Sequence, residues 1–211
     1  MFILPDVKIA ILFTPRTGSH TLHNLLWRLC RDRLAEPFNR THGFNFDPQA
    51  EDGIHFHLGW WHVEQTYRQY NLNQYRGFAF YRHPESWFLS ALKYMHNEDR
   101  IKYHGNMSPR AYWEADTTLM KRQTNILGSR HLCPDGGDIE LFNFHDMNNE
   151  LIRLFKELGV DLTPEIIDQH TMRKAGYPFD RTLSDKDKAQ IRKYWWEDYH
   201  WLEYKGIELP K

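Results

Sequence analysis

Short continuous apolar runs alternate along this chain with longer stretches whose apolar residues recur at helical spacing. Residues 7–13 form an apolar-rich run that predicts a buried strand. Residues 20–33 predict a helix, because apolar side chains recur there every three or four positions: Leu22, Leu25, Leu26, Leu29 and Cys30. Residues 35–53, rich in Pro, Asn, Asp and Gly, predict a loop.

The rest of the chain continues this alternation. The pattern predicts strands at residues 54–58, 75–81 and 139–144, and helices at residues 62–70, 84–97, 109–127, 146–158 and 184–204. Asp146 is the predicted N-cap of its helix, and Ser184 with Asp187 predicts a capping box. Strands that alternate with helices are typical of an α/β fold with a mostly parallel sheet. We expect one domain, residues 1–211.

Composition and charge narrow the classes of function. Hydrophobic residues make up 41% of the 211 and aromatic residues 15%, enough for a substantial core. Lys plus Arg number 27 against 28 Asp plus Glu, so no overall field favours nucleic acid or an acidic membrane surface. Two cysteines, Cys30 and Cys133, are too few for a disulfide framework. No apolar run reaches the roughly 20 residues that span a bilayer, so we expect a cytoplasmic protein with no membrane or nucleic-acid partner.

The turn between the first strand and the first helix, residues 14–21 (TPRTGSHT), is the first motif. A strand that turns directly into a helix places backbone N–H groups and the positive end of the helix dipole together. Gly18 lets the backbone approach a ligand, and Arg16 offers a planar, bidentate cation. The hydroxyls of Thr17, Ser19 and Thr21 are possible donors. The turn therefore predicts an anion site, the alternative being a capped helix with a surface arginine.

A nucleotide kinase is the first rival for this motif. The P-loop of Mg·NTP enzymes requires G-x-x-x-x-G-K-[ST], whereas the first motif has one glycine and no Lys-Ser/Thr pair. A kinase remains the alternative enzyme class, and a non-catalytic nucleotide-binding protein remains the alternative outside enzymes.

The second motif is residues 78–90, within FAFYRHPESWFLSALKY, where a predicted strand ends in Arg82-His83-Pro84 and Ser90 follows on the next helix. With the first motif it resembles the sulfotransferases that use 3′-phosphoadenosine 5′-phosphosulfate (PAPS). In that family P-[KR]-T-[GA]-[ST]-x-[ST] binds the 5′-phosphosulfate, and a later strand-end Arg and a helix Ser bind the 3′-phosphate. Residues 15–21 match the first pattern, and Arg82 and Ser90 have the family's spacing of eight. Arg16 stands where many members have Lys.

The resemblance implies an α/β, P-loop-like three-layer fold with a central, mostly parallel sheet flanked by helices. It also implies transfer of a sulfuryl group from PAPS to a hydroxyl acceptor, most typically on a carbohydrate. The donor contacts that it implies are Arg16, Thr17, Gly18, Ser19, His20, Thr21, Arg82 and Ser90, with Arg16 also taking part in catalysis. We expect no metal, since cations and backbone N–H groups can take up the charge on the leaving phosphate.

The acceptor hydroxyl needs a base, and a histidine has a suitable pKa. His55 and His57 alternate along the predicted strand in GIHFHLGWWHVEQ, residues 53–65, so they share one face. A His-x-His here resembles the uronyl 2-O-sulfotransferase branch, which implies His57 as the base and His55 as its partner or substitute. His20 is a further alternative base. A Zn²⁺ site of His55, His57 and His62 is another possibility, although no Cys or carboxylate completes the set.

A third segment, residues 168–181, is a basic loop that contains a glycine. Members of the resembled family often close a late Arg/Lys-rich loop over the nucleotide, and Arg173 and Lys174 match it best. The alternative is that the Arg173 and Lys174 side chains are exposed to solvent and bind no ligand.

Overall fold

The computed structural model describes residues 1–35, 68–97, 107–114, 123, 139–171 and 181–207. The chain divides into two compact units, Met1–Tyr81 with Ile126–Met172 and Arg82–Asn125 with Arg173–Lys211. Each unit is described by itself below. The expectation of a single domain stays a prediction.

A four-stranded sheet forms the centre of the first unit, within the residues described. Its strands are β1 (Phe2–Leu4), β2 (Ile9–Leu12), β3 (Arg76–Tyr81) and β4 (Ile139–Asn143), in the order β1-β2-β3-β4. β1 pairs antiparallel with β2, and β2–β3 and β3–β4 are parallel. The predicted mixed α/β class and the mostly parallel sheet are therefore confirmed.

Apolar sequence explains why β2 lies inside the sheet. All four of its residues, IAIL, are buried, as expected for an inner strand of a sheet that is covered on both faces. The strand is shorter than the predicted 7–13, because residues 5–8 form the turn from β1, where Lys8 has φ 54°. β3 agrees with the predicted 75–81 and β4 with the predicted 139–144 to within a residue. The prediction missed β1, which has only three residues.

Three α-helices lie in the described part of the first unit: α1 (Ser19–Cys30), α4 (Met147–Glu157) and α5 (Pro164–His170). α1 confirms the predicted helix, and its leucines at positions 22, 25 and 26 are buried. A 3₁₀ turn, Arg31–Arg33, follows it. Asp146 stands at the N-cap of α4, as predicted, but its carboxylate accepts from the Asn149 side chain instead of capping the backbone. α5 was not predicted; Thr163 caps it, with Pro164 at its first position.

The second unit contains α2 (Pro84–Asn97), α3 (Pro109–Glu114), α6 (Asp185–Tyr194) and α7 (Trp196–Tyr204) among the described residues. Its core is largely aromatic: Trp87, Phe88, Ala91, Leu92, Tyr112, Ile191, Trp195 and Tyr199. α2 has the predicted bounds, and α3 lies within the predicted helix 109–127, whose remaining residues, apart from Gln123, are outside the described part. No helix among the described residues is long and apolar enough to cross a bilayer.

The predicted continuous helix 184–204 is wrong. α6 ends at Tyr194 and α7 begins at Trp196, with φ −102° and ψ 28° at Trp195 between them. The side chain of Trp195 is fully buried and packs against Phe88 and Trp113, with ring centroids 5.7 and 5.1 Å away. The predicted capping box at the N-terminus of this segment is confirmed, since Ser184 and Asp187 form both of its hydrogen bonds.

Candidate functional site

The first motif is a tight turn between β2 and α1, in the first unit. Arg16 has φ 63° and Gly18 has φ 72°, so the backbone enters the left-handed region twice. Gly18 is the N-cap of α1, and its carbonyl accepts the first helical hydrogen bond from the Leu22 N–H, at 3.1 Å. Glycine has no side chain that could cap, and the first turn contains no acidic residue. The positive end of the helix dipole is therefore not offset by a cap at Gly18 or by a carboxylate in that turn.

The surroundings of Gly18 favour glycine, as does its positive φ. A Cβ at this position would lie 2.5 Å from the Met147 Sδ and 2.6 Å from its Cε. Met147 is the first residue of α4, so the turn closes directly on the start of another helix. Only glycine combines the positive φ with such a close approach.

Two threonines fix the turn to the sheet. The Thr14 hydroxyl donates to the carbonyl of Phe80 in β3, and the Thr17 hydroxyl donates to the Thr14 carbonyl at 2.7 Å. The two hydroxyl oxygens lie 2.9 Å apart, and both side chains are buried. The Thr17 hydroxyl thus stabilises the turn itself, and the predicted anion contact of Thr17 depends on its backbone N–H.

The remaining predicted residues of the first motif lie at the start of α1. Ser19, His20 and Thr21 form its first turn; Ser19 and Thr21 are buried and His20 is exposed. Arg16 is half-buried. The turn therefore brings these residues together at one helix N-terminus, beside the carboxyl end of β3, where the Thr14 hydroxyl meets Phe80.

The second motif begins where β3 ends. Arg82 follows Tyr81 in the chain, and its Nε donates to the Ser86 Oγ at 2.8 Å. Ser86 and Ser90 are one helical turn apart on α2, and all three side chains are half-buried. A neighbouring face of α2 carries Trp87 and Ala91 into the core. The second motif therefore places the Arg82 side chain, just before α2, against Ser86, with Ser90 one turn further along the helix.

Burial perturbs a tyrosine beside this motif. The rings of His83 and Tyr199 meet edge to face, with centroids 5.6 Å apart. Burial first, and then the neighbouring Glu85 carboxylate, raise the pKa of Tyr199 above its ordinary value. Tyr199 belongs to the core of the second unit and keeps its proton at neutral pH.

Sequence reasoning missed three residues that hold these motifs. Thr14 anchors the first turn, and Gln123 pairs with the Arg82 backbone through two hydrogen bonds. Ser86 holds the Arg82 side chain. Ser86 could have been found, since it lies four positions before Ser90; no local pattern marks Gln123, which is 41 residues from its partner.

Other predicted site residues lie outside the part of the chain that the structure describes: His55, His57, His62, Arg173 and Lys174. Their roles as base, alternative metal ligand and nucleotide contact stay predictions. Among the described residues no group of three or more His, Cys, Asp or Glu side chains could hold a metal ion.

Comparisons with models of protein families, with curated protein sequences and with solved structures gave no significant match. The functional interpretation therefore depends on the residues of the two motifs.

Proposed function

We propose that this chain is a PAPS-dependent sulfotransferase with a P-loop-like three-layer fold, and that it transfers the sulfuryl group to a hydroxyl of a carbohydrate. The first motif binds the 5′-phosphosulfate and the second binds the 3′-phosphate. These two roles are assigned because both motifs resemble those of the PAPS-dependent sulfotransferases and occur in the same order along the chain.

The turn at Gly18 is the observation that carries the proposal. It joins a buried parallel strand to a helix whose N-cap offers no side chain, and its tight backbone is held by two buried threonine hydroxyls. Fixed N–H donors at a helix N-terminus suit a phosphate or sulfate group, because they need no rearrangement to bind it. Arg16 adds a cation within the same turn.

The second motif supports a separate anion contact. The hydrogen bond from the Arg82 Nε to Ser86 restricts the orientation of a planar guanidinium, a group suited to bidentate contact with phosphate, and Ser90 is a second hydroxyl residue one turn further along the helix. A nucleotide with phosphates at both ends of its ribose requires two such sites. A nucleoside diphosphate or triphosphate, with all phosphates at the 5′ end, does not.

In the proposed reaction the acceptor oxygen forms a bond to sulfur while the bond from sulfur to the bridging phosphate oxygen breaks. The acceptor proton passes to His57, and the charge on the departing 3′-phosphoadenosine 5′-phosphate is stabilised by Arg16 and the N–H groups of the turn. His55 orients His57 or replaces it.

Calorimetry with two matched nucleotides tests the proposal. 3′-Phosphoadenosine 5′-phosphate and ADP each carry two phosphates, but only the first has one at the 3′ position. We expect the first to bind at least about tenfold more tightly, since a charge-assisted pair contributes roughly 1.5–3 kcal/mol. Arg82→Ala should remove most of this preference and leave ADP binding nearly unchanged.

Arg110→Ala is the matched control, because Arg110 is an exposed arginine in the same unit that pairs with Glu114 at 2.7 Å. It should leave both affinities unchanged. Equal affinity of the unmodified protein for both nucleotides would refute the 3′-phosphate site. Mg²⁺-dependent turnover of ATP would favour a kinase instead.

A further inference from the structure

We infer that Gln123 is a positioning residue that orients Arg82 for the 3′-phosphate, an inference that rests on the function proposed above. Gln123 makes no contact with the ligand in this role. It holds the backbone of Arg82, the residue that contacts the 3′-phosphate in the proposed function.

The Gln123 amide pairs with both backbone polar groups of Arg82. Its Oε1 accepts from the Arg82 N–H at 2.9 Å, and its Nε2 donates to the Arg82 carbonyl at 2.6 Å. Two opposed hydrogen bonds from one planar amide fix the peptide groups on both sides of the Arg82 Cα. The pairing resembles that of a neighbouring strand, at the position where β3 has just ended.

Gln123 is itself held firmly. It is only 3% exposed, and its own N–H donates to the Asp198 Oδ2 at 3.2 Å. Asp198 lies in the first turn of α7 and is 2% exposed. The amide thus has a rigid support, and buried polar groups of this kind are costly to leave without partners.

The side chain of Arg82 is restrained from its other end. The backbone is fixed by Gln123 and the Nε by Ser86 at 2.8 Å, so the torsions between these two points have little freedom. An arginine that is ordered before the ligand arrives loses less side-chain entropy on binding. Gln123 therefore contributes to nucleotide affinity through Arg82 alone.

Substitution of Gln123 tests this in two steps. Gln123→Met keeps the length of the side chain and removes both hydrogen bonds, whereas Gln123→Glu keeps the acceptor for the Arg82 N–H and loses the donor to its carbonyl. We expect 3′-phosphoadenosine 5′-phosphate to bind about 2- to 10-fold more weakly to Gln123→Met, which corresponds to about 0.4–1.4 kcal/mol. Gln123→Glu should weaken binding at least as much, because one of its buried carboxylate oxygens would face the Arg82 carbonyl oxygen. ADP affinity should change little.

The decisive comparison places Gln123→Met in an Arg82→Ala background. A residue that acts through Arg82 should then have no further effect on nucleotide affinity, whereas a general loss of folding would add to the loss from Arg82→Ala. Gln190→Met is the control, because the Gln190 Oε1 also accepts from an arginine backbone N–H, that of Arg110 at 3.3 Å. Additive losses in the double variant would overturn the inference.

A measurement without nucleotide separates this inference from the proposed function. The order parameter of the Arg82 Nε–H bond, assigned by its disappearance in Arg82→Lys, should be near the rigid value of about 0.85 in the free protein. It should fall toward the flexible range, below about 0.6, in Gln123→Met but not in Gln190→Met. An Arg82 that is equally rigid in Gln123→Met overturns the positioning role, even if the 3′-phosphate preference is found. If that preference is absent, the proposed function fails, and the order parameter still decides what Gln123 does.

Discussion

Substitution of Gly18 by alanine separates two reasons why the first motif requires glycine. The first is the backbone, since φ 72° costs an L-residue about 1–2 kcal/mol. The second is space, since the new Cβ would lie 2.5 Å from the Met147 Sδ. Overpacking of this kind costs about 1–3 kcal/mol, and the flexible thioether places the cost in the lower part of that range.

Gly159 is a matched reference for the backbone contribution. It has φ 70°, lies in the same unit, and a Cβ there would have no described atom within 4 Å. Alanine also restricts the unfolded chain by about 0.4–1 kcal/mol at either position, so this effect cancels in the comparison. We expect Gly159→Ala to lower the free energy of unfolding by about 1 kcal/mol or less and Gly18→Ala by about 2–3 kcal/mol.

Urea denaturation of Gly18→Ala, Met147→Ala and the double variant completes the cycle. Shortening Met147 should recover about 1–2 kcal/mol of the loss caused by Gly18→Ala, as a coupling energy between the two positions. The reasoning would be refuted if Gly18→Ala costs no more than Gly159→Ala. A coupling energy of zero would likewise show that Met147 does not press on the turn.

Two further predictions concern stability. Thr14→Val should lower the free energy of unfolding by about 1–3 kcal/mol, because the hydrogen bond from the Thr14 hydroxyl to the Phe80 carbonyl is lost. Thr14→Ser should retain most of the stability, and equal losses for the two variants in urea denaturation would contradict the role of Thr14 as an anchor. Folding raises the pKa of the Tyr199 hydroxyl. Its contribution to the free energy of unfolding is therefore complete below the pKa of tyrosine in the unfolded chain, about 10, and is lost as the pH rises through the pKa of Tyr199 in the folded protein. Chemical denaturation at alkaline pH should therefore show a steeper loss for the unmodified protein than for Tyr199→Phe, and parallel profiles would contradict this assignment.

Local sequence patterns predicted the helices and strands that are specified by a few neighbouring residues. The apolar run before Thr14, the Pro84 start of α2 and the capping box at Ser184 each specify an element through contacts within one turn or one strand. α5 could have been predicted in the same way, from Thr163 followed by Pro164. β1 has only three residues, too few for a periodic pattern.

The features that local patterns did not predict depend on contacts between residues far apart in the chain. Nothing in the sequence around Trp195 indicates that its ring will pack against side chains of α2 and α3, or that the last helix is interrupted at this residue. Gly18 was predicted for its conformational freedom, but the approach of Met147, more than a hundred residues later, was not. The Gln123 amide likewise finds its partner at a separation that no local motif encodes.

Transfer of labelled sulfate tests the central claim most directly. The protein is incubated with ³⁵S-labelled PAPS and a panel of carbohydrate acceptors, with EDTA present. We predict label on an acceptor hydroxyl together with an equal amount of 3′-phosphoadenosine 5′-phosphate, and a rate about 10²–10⁴-fold lower in His57→Ala at nearly unchanged nucleotide affinity. Tight binding of PAPS without transfer to any acceptor of a broad panel would contradict the catalytic claim and favour a nucleotide-binding protein.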